Sequence, residues 1–229
     1  EDIRTPDCFY IEDELIKRLN KPVMHDDQHG TATVLLAAVL NALKKVNRYG
    51  DKSLVFAQLG LGAAGFAIAK LLIDYGFTVT AFDPNESAHK RLLDVGGTIS
   101  TFEEAMNADV VIATTGRVGL ITKEHIKPGQ IIFALSNPVP EIMPEDALDA
   151  GAAFAADGKS VNNALAYPGL FRAAIEVRAE KITSEMKIAA ATAIAEQAEP
   201  YELVPSPFNP KVHETVIERV KALFATHLE

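Results

Sequence analysis

The chain has 229 residues, of which 48% are hydrophobic and 23% are charged, as is usual for globular proteins. Its formal net charge of −9 at pH 7 argues against nonspecific binding to nucleic acid or to anionic membranes, since both need a cationic surface. The single cysteine, Cys8, excludes an intrachain disulfide and a cysteine-built zinc site, and it favours a reducing, cytoplasmic compartment.

The predicted elements begin with two helices. Apolar residues recur on one face over 11–19, which predicts a short amphipathic helix that Pro22 terminates. A second helix is predicted from about Thr31 to Val46, and its apolar composition indicates that it is buried.

The segment just before this second helix, His25–Thr31, holds two adjacent carboxylates, Asp26 and Asp27, and two imidazoles. Burying charge beside an apolar helix is costly unless the charge is paired or bound to a cation. The residues alone leave two interpretations open. Either an aspartate caps the helix, or the cluster meets a metal ion, a substrate or another polar network.

From Ser53 onward the pattern changes to alternating strands and helices, which predicts a parallel sheet with right-handed crossovers. Strands are predicted over 54–59, 78–82, 110–113 and 131–135, and helices over 63–75, 86–95 and 103–107. Beyond Asn163, helices are predicted over 164–177 (distorted by Pro168-Gly169), over 184–197 and from Asn209-Pro210 onward. We therefore expect an α/β fold of the Rossmann type, a doubly wound parallel sheet with additional N-terminal and C-terminal helices.

A dinucleotide fingerprint, Gly60-Leu61-Gly62-Ala63-Ala64-Gly65, follows the first of these strands and opens a helix. In G-x-G-x-x-G motifs the first glycine permits the tight turn, the second lets the pyrophosphate approach and the third allows close helix packing. Asp83 ends the next strand 23 residues after Gly60, where it can accept hydrogen bonds from ribose hydroxyls and repel a 2′-phosphate. This context favours NAD over NADP; the alternative is a tight turn without a ligand.

Further motifs connect the chain with a known family. Phe133–Pro138 places an asparagine after a strand, Val161–Gly169 carries an asparagine pair into a helix, and Pro205–Phe208 lies near the C-terminus. Together with His25–Ala32, these motifs resemble those of malic enzymes of the bacterial short type, in the same order. The resemblance runs from Glu1 to about Phe208.

The resemblance implies an activity and a set of site residues. The activity is NAD-dependent oxidative decarboxylation of malate to pyruvate and CO₂, with Mg²⁺ or Mn²⁺, in a homodimeric full-length protein. The metal ligands would be Glu1, Asp2 and Asp27, and oxygen ligands suit these ions. Asp26 would take part in catalysis near the acid–base network. Asn137 and Asn163 would bind the substrate. The NAD-binding residues would be Thr31, Gly60, Gly62, Ala63, Ala64, Gly65 and Asp83.

The same resemblance predicts three segments. These are a helical segment over 1–50 with the metal-site carboxylates, a Rossmann NAD-binding core over 51–160, and C-terminal helices over 161–229 packing on the core.

The chain also departs from the family. No residue matches the tyrosine and lysine that act as acid and base in malic enzymes, the stretch from Asp83 to Val110 is short, and Asp157–Ser160 replaces a longer loop. We therefore expect the chain to bind NAD without turning over malate by itself. Two alternatives stay open: a relative that decarboxylates oxaloacetate or makes lactate directly from malate, and a non-catalytic NAD-binding module.

Overall fold

The structure, a computed structural model, describes residues 2–225. Its strands are β1 (Val55–Leu59), β2 (Thr78–Phe82), β3 (Thr98–Ile99), β4 (Val110–Ala113), β5 (Ile131–Ala134) and β6 (Phe154–Asp157). Its helices are α1 (Asp7–Arg18), α2 (Asp26–Lys45), α3 (Ala63–Tyr75), α4 (Glu86–Asp94), α5 (Phe102–Ala105), α6 (Pro144–Asp149), α7 (Tyr167–Glu176), α8 (Ser184–Glu196) and α9 (Pro210–Ala225). Short 3₁₀ turns occupy Lys123–His125, Gly158–Ser160 and Asn163–Leu165.

The strands form one parallel sheet in the order β3-β2-β1-β4-β5-β6. The chain starts in the middle, moves outward to β3, and then returns to β4 to build the other half. This order confirms the predicted Rossmann class, whose ligands bind where the strand order reverses, here between β1 and β4.

The register brings the ends of the central strands together. Leu59 pairs with Phe82 on one side and with Ala113 on the other, and Ala113 pairs with Ala134. Because these strands end side by side, the residues that follow them form one edge of the sheet.

The buried core on one side of the sheet comes from short apolar strands. Parallel strands covered on both faces are apolar throughout, and β4 and β5 are buried at every position. The core cluster comprises Ala57, Leu59, Ala105, Met106, Ala108, Val111, Ala113, Ile121, Ile126, Ile132, Ala134, Ile142, Ala147 and Ala152.

The chain divides into two compact units. The sheet unit spans Ala42–Val161, and the helical unit combines the chain up to Asn41 with the chain from Asn162 onward. Within the helical unit, α9 packs against α7 and α8 and buries Val212, Val216 and Val220. No helix of residues 2–225 is long and apolar enough to cross a membrane.

The structure corrects several predicted boundaries. Helix α2 begins at Asp26 rather than Thr31, so the aspartate pair lies in its first turn. Helix α7 begins at Tyr167 rather than 164, so Pro168 lies in the first turn instead of distorting the helix, because an N–H there has no intrahelical partner to lose.

Three elements were not predicted. Strand β3 has only two residues, β6 is rich in alanine, which is rare in strands, and α6 is a helix of six residues. Each is too short or too weakly patterned for the periodicity of the sequence to indicate it.

Candidate functional site

A cavity lies in the sheet unit at the edge where the strand order reverses. Its volume is about 310 Å³. It is lined by the loops after β1, β2 and β4: Gly60, Gly62, Phe82, Asp83, Pro84, Thr114, Thr115, Arg117 and Leu120. The fingerprint turn, the predicted ribose-binding aspartate and the end of β4 therefore share one crevice.

The three fingerprint glycines are required for different reasons. Gly60 has a φ of +88°, and a Cβ there would stand 2.9 Å from the Thr114 carbonyl oxygen. A Cβ on Gly65 would overlap the Gly60 carbonyl oxygen and lie 2.7 Å from Thr114 Oγ1. Gly62 has an ordinary φ of −66°, and nothing stands within 4 Å of its Cβ position. The protein itself needs Gly60 and Gly65, whereas Gly62 leaves open space beside the N-terminus of α3.

Asp83 is held at the rim of this cavity by two backbone donors. Its Oδ2 accepts a hydrogen bond from the Leu61 amide at 2.6 Å, and its Oδ1 accepts one from the Asn85 amide at 2.7 Å. A carboxylate accepts about four hydrogen bonds, so Asp83 keeps capacity for the hydroxyls of a ribose. It also fixes the fingerprint turn to the end of β2.

The loop after β5 carries Asn137, which is exposed, and its neighbour Ser136 contacts a buried acid that the sequence analysis missed. Glu141 is 0% exposed, and its Oε1 accepts hydrogen bonds from the Ser136 hydroxyl at 2.5 Å and from the Thr115 amide at 2.7 Å. The only sequence signal is a lone carboxylate among Val139, Pro140 and Ile142.

In the helical unit, two predicted site residues that are 137 positions apart contact each other. Asp26, only 7% exposed, accepts a hydrogen bond at 2.6 Å from Asn163 Nδ2. Gly30 makes room for this pair, because a Cβ there would overlap Asp26 Oδ1 and lie 3.2 Å from Asn163 Cβ. The predicted catalytic aspartate, which is buried, and the predicted substrate-binding asparagine, which is half-buried, thus form one hydrogen-bonded pair.

The structure also places the backbone of Asp2 against the side chain of Asp27, two of the three predicted metal ligands. Asp27 Oδ2 accepts a hydrogen bond from the Asp2 amide at 2.8 Å and lies 3.5 Å from His25 Nε2. The third predicted ligand, Glu1, lies outside the described residues. Within residues 2–225, no three His, Cys, Asp or Glu side chains are grouped so that they could hold a metal ion. The oxygen donors of Asp2 and Asp27 nevertheless fit the hard ions Mg²⁺ and Mn²⁺ in chemistry.

A buried glutamate that was not predicted, Glu12 of α1, organises the start of α2. It is 8% exposed, and its Oε1 accepts a hydrogen bond from the His25 amide at 2.8 Å. Its Oε2 accepts one from Gln28 Nε2 at 3.1 Å and lies 3.0 Å from His29 Nε2. Both carboxylate oxygens of Glu12 therefore contact residues in the segment around the aspartate pair.

His29 connects this glutamate to Lys187 of α8. Lys187 Nζ lies 3.0 Å from His29 Nδ1, and an ammonium can only donate, so the imidazole hydrogen is on Nε2 and points to Glu12. Burial, together with the Lys187 charge, lowers the pKa of His29 and keeps it neutral. Burial raises the pKa of Glu12, but the His29 and His25 hydrogen bonds and the Lys187 charge outweigh it, and the pKa lies below its ordinary value.

The remaining predicted cofactor residues fall in both units. Ala63 and Ala64 are half-buried in the first turn of α3, within the sheet unit. Thr31 is half-buried in the second turn of α2, within the helical unit.

The strand order, the glycine turn opening α3 and the acidic residue ending β2 define a dinucleotide-binding protein of the Rossmann class. Residues 150–222 match the protein family described as "Malic enzyme, NAD binding domain". The chain is 50% identical over 224 residues to the NAD-dependent malic enzyme 1 of Bacillus subtilis, a match that covers 96% of the chain and 51% of that protein.

Two further matches agree. The bifunctional malic/malolactic enzyme of Bacillus subtilis is 41% identical, over 96% of this chain and 60% of that protein. The crystal structure of malic enzyme from Pyrococcus horikoshii superposes with a TM-score of 0.86 at 37% identity, covering 99% of this chain and 60% of that one. The chain is therefore a relative of the malic enzymes, as its motifs predicted, and it spans about half the length of the first curated relative.

Proposed function

We propose that the chain binds NAD in the crevice of the sheet unit and forms the dinucleotide-binding part of a malic enzyme. The observation that carries this proposal is the open space at Gly62, beside the N-terminus of α3 and next to Asp83. Among the described residues, no atom outside the turn lies within 4 Å of a Cβ at Gly62, whereas a pyrophosphate approaching the helix N-terminus would occupy this space.

Each residue of the crevice has a distinct part in this proposal. The backbone around Gly62 and the positive end of the α3 dipole would hold the pyrophosphate. Asp83 would accept hydrogen bonds from the adenosine ribose and repel a 2′-phosphate, which favours NAD over NADP. Gly60 and Gly65 keep the turn tight, so that this backbone faces the cavity.

In the whole protein, we propose oxidative decarboxylation of malate to pyruvate and CO₂. Asp2 and Asp27, with Glu1, would hold a divalent metal, and Asn137 and Asn163 would bind the substrate. When bound, the metal supplies charge that stabilises oxygen anions of the substrate. The Asp26–Asn163 hydrogen bond supports this assignment, because it orients the asparagine amide beside the aspartate pair.

A second activity is favoured by the comparison with the bifunctional malic/malolactic enzyme, which is 41% identical. Conversion of malate to lactate needs the same cofactor, metal and substrate contacts, so this crevice is compatible with either reaction. Decarboxylation of oxaloacetate uses the same metal site.

NAD binding is tested by calorimetric titration of the chain with NAD and with NADP. We expect NAD to bind and NADP to bind more weakly. Gly62→Ala should weaken NAD binding by roughly tenfold or more, ~1.4 kcal/mol, and should lower the thermal unfolding midpoint modestly, because Gly62 is the N-cap of α3 and alanine is a poorer cap. An unchanged affinity in Gly62→Ala, or the absence of NAD binding by the unmodified chain, would contradict the proposal.

Two aspartate variants test which unit holds the cofactor. Asp83→Ala should weaken NAD binding far more than Asp27→Ala, because the second aspartate is assigned to the metal. Equal losses would mean that the crevice is assigned wrongly.

Turnover is tested separately with malate, NAD and Mn²⁺. We expect the chain alone to produce no NADH, because it lacks a match to the family's acid and base. Assays of malate and oxaloacetate on the full-length parent would separate the malic, malolactic and oxaloacetate activities.

A further inference from the structure

Glu141 is a fully buried acid, and within residues 2–225 its carboxylate accepts hydrogen bonds from the two loops at the edge of the crevice. Its Oε1 accepts hydrogen bonds from the Thr115 amide at 2.7 Å, the Thr115 hydroxyl at 2.8 Å and the Ser136 hydroxyl at 2.5 Å. Its Oε2 accepts one from the Ser136 amide at 3.2 Å. A buried carboxylate is stable only with such donors, so these bonds are obligatory for the local structure.

Glu141 belongs, like Ser136, to the loop after β5, so its two bonds from Thr115 join this loop to the loop after β4. The Gly116 amide adds a further link by donating to Ser136 Oγ at 2.8 Å. The backbone carbonyl oxygen of Glu141 also accepts a hydrogen bond from the Ile121 amide at 3.1 Å, which attaches the end of the loop after β4 to Glu141. The two loops are therefore held as one rigid surface rather than moving separately.

This surface lies beside the proposed dinucleotide crevice, on the far side from Asp83. Thr115 lines the cavity, and β4 and β5 belong to the second half of the sheet. In Rossmann folds each half of the sheet accommodates one nucleotide, and Asp83 marks the adenosine half. The nicotinamide half must then lie over the loops that Glu141 joins.

The loop after β6 packs against the same surface. A Cβ on Gly158 would stand 2.5 Å from the Leu135 carbonyl oxygen and 2.9 Å from Asn137 Nδ2. Two contacts thus restrict Asn137. Gly158 lies close to its side chain, and the preceding residue, Ser136, donates its backbone amide hydrogen bond to Glu141.

We propose that Glu141 is a positioning residue for the nicotinamide half of the dinucleotide, acting through Thr115 and Ser136. This inference rests on the proposed NAD binding. Replacing the carboxylate by an amide places an NH₂ donor against the Ser136 amide or the Thr115 donors. In either orientation of the new amide, the backbone N–H of Thr115 or of Ser136 loses its acceptor and faces an NH₂ donor, which weakens the link between the loops.

The experiment titrates the chain and its Glu141→Gln variant with NAD and with ADP. ADP carries only the adenosine and pyrophosphate contacts, so it reports on the first half of the sheet. We expect Glu141→Gln to weaken NAD binding by about tenfold, as one poorly replaced buried hydrogen bond does, and to change ADP binding less than about twofold. The matched control is Glu145→Gln, the same substitution at an exposed site four residues away.

The outcomes separate this inference from the proposed function. If the unmodified chain binds neither ligand, the proposed function fails. Equal weakening of NAD and ADP, or no change in either, overturns the positioning role of Glu141. If Glu141→Gln fails to fold, Ser136→Ala can replace it, because this variant removes only the hydroxyl contacts. It should weaken NAD binding more than ADP binding, by a smaller factor than Glu141→Gln. Equal weakening of NAD and ADP binding in Ser136→Ala also overturns the role of Glu141.

Discussion

The replacement of Glu12 by alanine tests how the start of α2 is built. Glu12 is 8% exposed and accepts hydrogen bonds from the His25 amide, Gln28 Nε2 and the neutral His29 Nε2. Alanine cannot replace any of them. We expect the variant to lose stability and to release the segment that carries Asp26.

The magnitude follows from the donors left behind. An unsatisfied buried donor costs about 1–3 kcal/mol, and hydrogen bonds to charged groups contribute at the upper end of the usual range. Three donors lose their partner, but water entering the vacated space would satisfy part of them. We therefore expect a loss of about 3 kcal/mol in the free energy of unfolding at pH 7.

The assay is urea unfolding followed by far-ultraviolet circular dichroism, since the chain contains no tryptophan. Glu14→Ala is the matched control on the same helix, because Glu14 forms exposed ion pairs with Lys17 and Arg18. Its unfolding midpoint should stay within experimental error of the unmodified chain.

The result that would refute the reasoning is a loss below about 1 kcal/mol in Glu12→Ala, because a single unsatisfied donor already costs that much. A loss equal to that of Glu14→Ala would mean that the three donors find other partners. A spectrum that lacks helix before urea is added would instead show that Glu12 is needed for folding itself.

Three further predictions concern stability. Gly65→Ala should lower the free energy of unfolding by about 3 kcal/mol in the same urea assay, since the added methyl group overlaps the Gly60 carbonyl oxygen. Gly30→Ala should cost about 2 kcal/mol, mainly by displacing the Asp26 carboxylate, and most of this cost should disappear when Asp26 is also replaced by alanine, leaving the contact with Asn163 Cβ. The folded-state pKa of Glu12 lies below its ordinary value of 4.5, so its contribution is complete above pH 4.5 and is lost as the pH falls through the lowered value. The stability difference between the unmodified chain and Glu12→Ala should therefore shrink between pH 7 and pH 3; a constant difference would contradict that direction.

Much of the sheet unit could be predicted because its signals are local. Strand β2 and helix α3 have the predicted bounds, since apolar runs and glycine turns specify them directly. The start of α2 could not be placed, because the aspartates that begin the helix also suit a loop. Strand β6 pairs with β5 although its alanines favour helix, and only its neighbour in the sheet makes it a strand.

The site could be predicted in part for a similar reason. The fingerprint glycines and Asp83 stand at fixed spacings, so the sequence alone places them in one crevice. The contact between Asp26 and Asn163 joins residues 137 positions apart, which no local pattern indicates. A buried glutamate looks like a solvated one in sequence, because its burial depends on which donors the fold brings to it.

Glu12 and Glu141 solve the same physical problem in separate units. Functional residues at strand ends and helix starts have backbone amides without partners in a sheet or helix. A buried carboxylate supplies up to about four acceptor positions, which is more than any neutral side chain offers. Glu12 uses them for the His25 amide before α2, and Glu141 uses them for the Ser136 amide before Asn137. Substituting either acid should therefore change the geometry of the candidate sites, although none of the residues that the motifs identify is itself replaced.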